Sequence, residues 1–324
     1  MVTGLTRRGV LAAAGFAVLA AAGCSSATAE GQAGRSGSLE KTSLQVGALK
    51  SVTAAGLYIA QQRGFFKAHG LDVTIVTTSG SGPAMADLLN GRLDVNFGNY
   101  ATFVEAQAKG VAKFKILDEG NDATKGQQGL LVMPRSPVKS LSGLRGKTIG
   151  VNALQNQAQV MLSSMLASRR VPVSAVKLVA VPFPDMGTAL AAGRVDAVWI
   201  ADPFLTEAKL RHGAVSIADS NQGATRDLPI SGYVATAAWA VKYPNTVAAF
   251  VRALNQGQAL ANTSRPAIEQ VMTKYTGVSA EVASRVTAGS FPSGVSKSQV
   301  QRISDLMHAC GMLSRPYDVS PMIG

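Results

Sequence analysis

The feature that most constrains this chain is an internal repeat. Gly91-Arg92-Leu93-Asp94-Val95 recurs 102 residues later as Gly193-Arg194-Val195-Asp196-Ala197. At the same offset Phe97 falls on Trp199, Phe103 on Leu205, Glu105 on Glu207 and Ala106 on Ala208. Each copy closes an apolar run of helical spacing, Met85-Ala86-Asp87-Leu88-Leu89 and Thr188-Ala189-Leu190-Ala191-Ala192. A duplicated helix–turn–strand–helix segment predicts two lobes of like topology, and a cleft between lobes is where small ligands usually sit. Within the repeat, Gly stops a helix while Arg and Asp dress the turn into the next strand, which is a structural role.

The flanking patterns fit that frame. Apolar runs and alternation predict strands over 44–49, 71–78, 95–98, 114–118 and 129–133, with helices over 54–68, 83–91 and 101–109 between them. The pattern restarts with a strand at 148–151, a helix at 157–169, a strand at 176–181, a helix at 185–192, a strand at 195–200 and a helix at 203–212. A strand at 214–218, a loop at 219–231 and a strand at 232–238 follow, then helices over 244–262, 266–276, 280–288 and 297–308. Ser296, three residues before Gln299, has the spacing of a capping box. A helical tail cannot build a sheet of its own, so it is expected to pack back on the first lobe. The expected organisation is α/β: two lobes, each a mostly parallel sheet flanked by helices, joined by two hinge crossings near 134 and 234. Lobe 1 is 43–134 plus 235–324, and lobe 2 is 135–234.

The amino-terminal segment reads as an address. Arg7-Arg8 precedes an uncharged Ala/Leu/Val/Phe run from Val10 to Gly23, too short for the roughly 20 residues of a membrane span. Residues 1–23 are therefore expected to be an export signal. Leu19-Ala20-Ala21-Ala22-Gly23-Cys24 resembles a bacterial lipobox, with Ala21 where Leu is usual, which predicts lipidation of Cys24. Thr6-Arg7-Arg8-Gly9-Val10-Leu11 also resembles a twin-arginine signal. Residues 24–42 read as the lipidated cysteine and a flexible tether. These features predict an extracytoplasmic protein anchored at the outer face of the cytoplasmic membrane. The only other cysteine is Cys310, so no disulfide framework is expected. The net charge of +12 comes without the clustered Lys/Arg and interleaved aromatics that nucleic-acid binding requires.

Ligands of open α/β sheets bind at the carboxyl ends of strands, and the repeat pairs those ends. Lys50, Ser51 and Thr53 pair with Gln155, Asn156 and Gln157; Ser79, Gly80, Ser81 and Gly82 pair with the loop to Asp185; Asn99 and Tyr100 pair with Asp202. Each loop leads into a helix amino terminus, whose free N–H groups hold anionic or polar groups. The Ser-Gly-Ser-Gly loop lacks the Lys-Ser/Thr of a phosphate-binding loop. Lys50 is either a partner for an acidic ligand or a solvated strand end. Asp185 and Asp202 stand where helix caps belong; facing the cleft, they would favour an amine or a protonated ring nitrogen. Tyr100 is the best expectation for a pocket wall.

Taken together, Leu57-Tyr58-Ile59-Ala60, Gly64-Phe65-Phe66-Lys67, Gly70-Leu71-Asp72-Val73, Leu144-Arg145-Gly146-Lys147-Thr148-Ile149-Gly150-Val151, Asp202-Pro203-Phe204, Tyr243-Pro244 and the repeated motif resemble a known family. It is that of the extracytoplasmic solute-binding proteins of ABC importers, in the group associated with nitrate, sulfonate, taurine and thiamine-pyrimidine precursors. The resemblance implies the type II periplasmic-binding fold and closure of the lobes on a small solute. The solute is expected to be a sulfonate- or nitrate-like oxyanion or a thiamine-pyrimidine-like nitrogen compound. Delivery to an ABC permease by a monomer follows, with no cofactor, no metal and no chemistry on the solute. The same fold also serves enzymes of thiamine-pyrimidine and menaquinone biosynthesis, and sensory receptors. An enzyme would need a reactive group in the cleft; His69, His212 and His308 all fall away from strand ends, and no Cys/His/Asp/Glu spacing indicates a metal.

Overall fold

The repeated turn has the same role in both halves of the computed structural model, which describes residues 38–323. Gly91 (φ 72°) and Gly193 (φ 69°) leave the preceding helix in a left-handed conformation that a side chain would disfavour. The aspartate three residues on then reaches sideways. Asp94 accepts a hydrogen bond from the Gln45 N–H and Asp196 one from the Thr148 N–H, each at 2.9 Å. The backbone answers: the Asp94 N–H donates to the Gln45 carbonyl at 2.8 Å and the Asp196 N–H to the Thr148 carbonyl at 2.9 Å. Lys41 and Lys147 place an ammonium 2.5 and 3.7 Å from the two carboxylates. Each aspartate thus fixes the start of one strand against the start of its neighbour.

The first half contains β1 (Ser43–Ala48), α1 (Ala55–Gln62), α2 (Phe65–Ala68), β2 (Asp72–Thr77), α3 (Ser81–Leu89), β3 (Val95–Asn99), α4 (Tyr100–Ala108) and β4 (Phe114–Asp122). The second contains β5 (Gln128–Val132), β6 (Thr148–Val151), α5 (Gln157–Ala167), β7 (Lys177–Ala180), α6 (Phe183–Ala191), β8 (Ala197–Ala201), α7 (Phe204–His212) and β9 (Val215–Asp219). The chain finishes with β10 (Pro229–Thr236), α8 (Ala237–Lys242), α9 (Pro244–Thr263), α10 (Arg265–Val271), α11 (Ala280–Arg285) and α12 (Lys297–Ala309).

Two sheets form, ordered β2-β1-β3-β10-β4 and β7-β6-β8-β5-β9. In each, four strands share a direction and one, β10 or β5, is reversed. Each reversed strand is the first one after a crossing. The sheets are therefore mixed, and the lobe boundaries move. β5 belongs to the second sheet and β10 to the first, so the crossings run through 123–127 and 220–228 rather than near 134 and 234. Apolar runs mark β5 and β10 as strands, but only long-range pairing decides which sheet a strand joins.

Other ends differ for local reasons. Gly64 (φ 74°) splits the expected 54–68 helix into α1 and α2. β4 continues to Asp122 although residues 118–122 are mostly polar, because β10 pairs alongside them. The expected 266–276 helix ends at Val271 and passes into a wide π turn over Met272–Thr276. The capping box does not form: Ser296 meets Ser298, and Gln299 meets Arg302. The export segment 1–23, Cys24 and most of the expected tether lie outside the described residues. Residues 38–42 of that tether are tied down. Glu40 accepts from the Asn245 and Thr246 N–H groups at 3.1 and 3.0 Å, at the start of α9.

The helical tail packs back on the first lobe, as expected. Gly257 of α9 lies so close to α1 that a β-carbon there would stand 2.2 Å from the Gly56 carbonyl oxygen. The lobes also share apolar contacts, since α4 and α12 of the first pack on α5 of the second in one continuous buried cluster.

Asp94 is nearly buried and also accepts from the Trp239 indole N–H at 2.9 Å, whereas the Asp196 side chain is 40% exposed. Asp94→Ala should therefore cost about 2–3 kcal/mol, because it strands several donors. Asp196→Ala should cost under about 1 kcal/mol. Urea unfolding midpoints of the two variants test this; equal losses would contradict it.

Candidate functional site

The carboxyl ends of β1, β2 and β3 in one lobe, and of β6, β7 and β8 in the other, carry the loops expected to hold a ligand. The structure sorts their residues into supports and free groups. Lys50, Ser79 and Gly82 are exposed, and Gly80 is half-buried. Ser51 caps the short turn Val52–Ala54 by accepting from the Thr53 N–H at 3.2 Å, and its hydroxyl meets the Thr53 hydroxyl at 2.5 Å.

Ser81 is a correction. Its hydroxyl, expected to offer itself to a ligand, is buried and accepts from the Asn99 N–H at 2.9 Å and the Asn99 side-chain amide at 3.1 Å. Asn99 in turn caps α4, accepting from the Thr102 N–H at 3.0 Å. Gly98 permits this approach, because a β-carbon there would stand 2.2 Å from the Ser81 hydroxyl.

Tyr100 is a second correction. It opens α4, and its ring folds back over Gly232 of β10, leaving it fully buried rather than walling a pocket. Its hydroxyl has no hydrogen-bond partner within the protein. Burial pushes its phenol well above the usual tyrosine range, and the nearby Glu119, Asp118 and Asp122 push the same way.

In the second lobe, Gln155 is exposed and sits in the left-handed region (φ 51°), a strained setting for a side-chain-bearing residue. Asn156 is buried and caps α5 by accepting from the Ala158 N–H at 3.0 Å. Gln157, the first residue of α5, is 4% exposed, and neither end of its amide has a partner within the protein. Asp185 is exposed in the first turn of α6. With Val179–Pro182 and Arg194 it lines a groove of about 440 Å³ beside the edge strand β7.

Asp202 is the third correction. One carboxylate oxygen accepts from the Thr206 N–H at 2.9 Å and caps α7; the other accepts from the Thr287 N–H at 2.6 Å, from the tail of the other lobe. It is a buried joint between lobes, with both oxygens engaged by the fold. Nearby contacts complete that joint: the Gln127 amide donates to Asn121 at 2.9 Å and to the Ala288 carbonyl at 3.0 Å, and Asp219 accepts from the Gly126 N–H at 2.6 Å.

Sequence reasoning passed over the carboxyls of β4, Asp118 and Glu119, although a polar run closing an apolar strand was a usable signal. Both are buried near the joint, under the segment leading into α12; the Gly294 N–H donates to Asp118 at 2.7 Å. Burial pushes Asp118 up to about 6 against the hydrogen bonds from Gly294 and Glu119. Burial also lifts Glu119 far above the usual carboxylate range, and the Asp122 carboxylate beside it adds to the rise. Among the described residues the buried polar side chains include four carboxyls (Asp94, Asp118, Glu119 and Asp202) and no Lys, Arg or His. Among the described residues, too, no group of three or more His, Cys, Asp or Glu is placed to hold a metal ion.

These two raised values set a pH dependence. The folded chain holds the Asp118 and Glu119 protons more tightly than the unfolded chain. That contribution is complete below the ordinary carboxylate range and is lost as pH rises through about 6 for Asp118 and higher still for Glu119. Melting temperature should fall between roughly pH 5 and pH 9, and Glu119→Gln, which mimics the protonated form, should flatten the upper part of that slope. A wild-type slope in the variant would show that Glu119 does not titrate there.

Comparison with known proteins agrees with this architecture. The family model described as "NMT1/THI5 like" matches residues 51–266. The alkanesulfonate-binding protein SsuA from Xanthomonas axonopodis pv. citri, solved bound to MOPS, superposes with a TM-score of 0.77 at 22% identity, over 89% of this chain and 99% of that one. The periplasmic nitrate-binding protein NrtA from Synechocystis PCC 6803 superposes at 0.76 with 16% identity, over 87% of this chain and 85% of that one. The bicarbonate transport ATP-binding protein CmpC of Synechocystis is 27% identical over 235 residues, 67% of this chain and 34% of that protein. The chain spans 34–62% of the length of the curated relatives it matches. The superposition agrees with the two mixed α/β lobes, and by the family match the chain belongs to the NMT1/THI5-like family.

Proposed function

We propose that this protein is an extracytoplasmic receptor that closes its two lobes on a small solute and hands it to an ABC permease. The observation that carries the reading is Gln157. A buried amide with neither end satisfied, at the amino terminus of α5 and at a strand end of the second sheet, is a group kept for something other than the fold. The turn before it holds Gln155 in a strained conformation, as binding turns often are. Across the cleft, Lys50, the paired Ser51 and Thr53 hydroxyls and the exposed Ser79 supply further polar groups. The solute biases the closed arrangement only by as much as it prefers it.

The relatives named for alkanesulfonate and nitrate favour an oxyanion, held by helix amino termini and Lys50. A nitrogen compound of the thiamine-pyrimidine kind is the second reading, favoured by the buried carboxyls and by the lack of a buried cation among the described residues. A receptor role is preferred to an enzyme role because the histidines serve the periphery. His212 closes α7, and the His308 ring meets the Leu313 carbonyl at 3.1 Å at the end of α12. Lipidation of Cys24 after export, by the general or the twin-arginine route, would hold the receptor at the membrane; mass spectrometry of the membrane-bound protein should find a diacylglyceryl-modified Cys24, and an unmodified cysteine would remove the anchor.

A thermal-shift panel of alkanesulfonates, nitrate and aminopyrimidines tests the solute class, since ligand at a hundred times its dissociation constant adds about 2.7 kcal/mol. Gln157→Ala should weaken the active compound roughly tenfold or more while leaving the ligand-free melting temperature unchanged or raised, because it removes an unsatisfied buried amide. Full affinity in that variant would place the solute elsewhere.

A further inference from the structure

We propose that the groove between α5 and α12 is a second ligand site, separate from the cleft, for a small amphipathic carboxylate. It is a partly open space of about 990 Å³, within the range of small-molecule pockets. Its walls come from three parts of the chain. Val160 and Ser163 of α5, with Ser168 just after it, line the second-lobe side; Leu306 and Ala309 of α12, with Cys310 just after it, line the first-lobe side; and residues 222–224 of one crossing close the end.

The chemistry of the lining is two-sided. Leu141, Val160, Ile217 and Leu306 make an apolar wall. Ser163 is 7% exposed and its hydroxyl has no partner within the protein; it lies beside the Cys310 thiol without making a hydrogen bond of normal geometry to it. Arg169 is exposed at the same cavity and forms no ion pair among the described residues. The lining carboxylate, Asp219, forms no ion pair with it and instead accepts from the Gly126 and Asn221 N–H groups at 2.6 and 2.7 Å. An apolar body with a carboxylate head satisfies all three features: the wall, the hydroxyl and the guanidinium.

Both lobes and a crossing contribute, so an occupant that binds one lobe arrangement better than another is coupled to the cleft, equally in both directions.

Octanoate is the probe, applied to the full chain. It should raise the melting temperature and slow alkylation of Cys310 by N-ethylmaleimide at least about threefold, read by peptide mass spectrometry so that Cys24 does not interfere. Arg169→Gln should weaken octanoate by about tenfold through loss of the charged head contact. Ala309→Trp, at an exposed helix position lining the groove, should obstruct part of the space and reduce the thermal shift while the ligand-free protein melts as wild type. No thermal shift, a shift without protection of Cys310, or wild-type octanoate affinity in either variant would each overturn the proposal. None of these readouts uses the cleft, so their failure would leave the receptor reading standing.

Discussion

A carboxylate that binds sideways to a neighbouring strand organises both halves of this protein. Asp94 and Asp196 each close a helix–turn, begin a strand and lock that strand against a parallel neighbour, β1 or β6. The glycine three residues earlier supplies the left-handed exit without which the carboxylate would not arrive. Once β1 is set against β3 and β6 against β8, the strand ends that face the cleft are set as well. The deeper copy, Asp94, also gathers Lys41 and the Trp239 indole, so it draws the amino-terminal segment and the carboxyl-terminal half into the same lobe.

The strand ends are built in tiers. Ser81 holds Asn99, and Asn99 holds the start of α4; Asn156 holds the start of α5; Asp202 holds the start of α7 and reaches across to Thr287. Polar residues at strand ends are therefore mostly engaged in fixing helix amino termini, which are the groups that can then address a ligand. Gln157 stands out against that background because the fold leaves both ends of its amide unpaired. The lobes themselves meet along α4, α5 and α12, and the cavity beside α5 and α12 lies at the same seam.

Much was legible in the residues. The duplicated motif foretold two lobes of like topology, and the topology is duplicated strand for strand. Alternating apolar runs located nearly every strand and helix, because period and capping are local properties. The motif's structural role was also readable, since glycine and aspartate at a helix–strand turn have few other uses. What failed were assignments that depend on distant partners. Tyr100 follows a strand end, as a pocket wall would, yet its ring turns back over Gly232, some 130 residues away in the chain. Asp202 reads as a helix cap, and it is one, but its second oxygen belongs to Thr287.

The sequence by itself determined the two-lobed α/β plan, the order of its elements and the places where loops meet helix amino termini, because these follow from periodicity, turn chemistry and repetition along the chain. Only the tertiary structure decided that β5 and β10 change lobes. It also decided that Ser81 and Asp202 are supports, that the β4 carboxyls are buried, and that Gln157 is left without a partner. Those outcomes are set by hydrogen bonds and burial between residues far apart in sequence, and no local pattern encodes which of two polar side chains will find its partner within the fold.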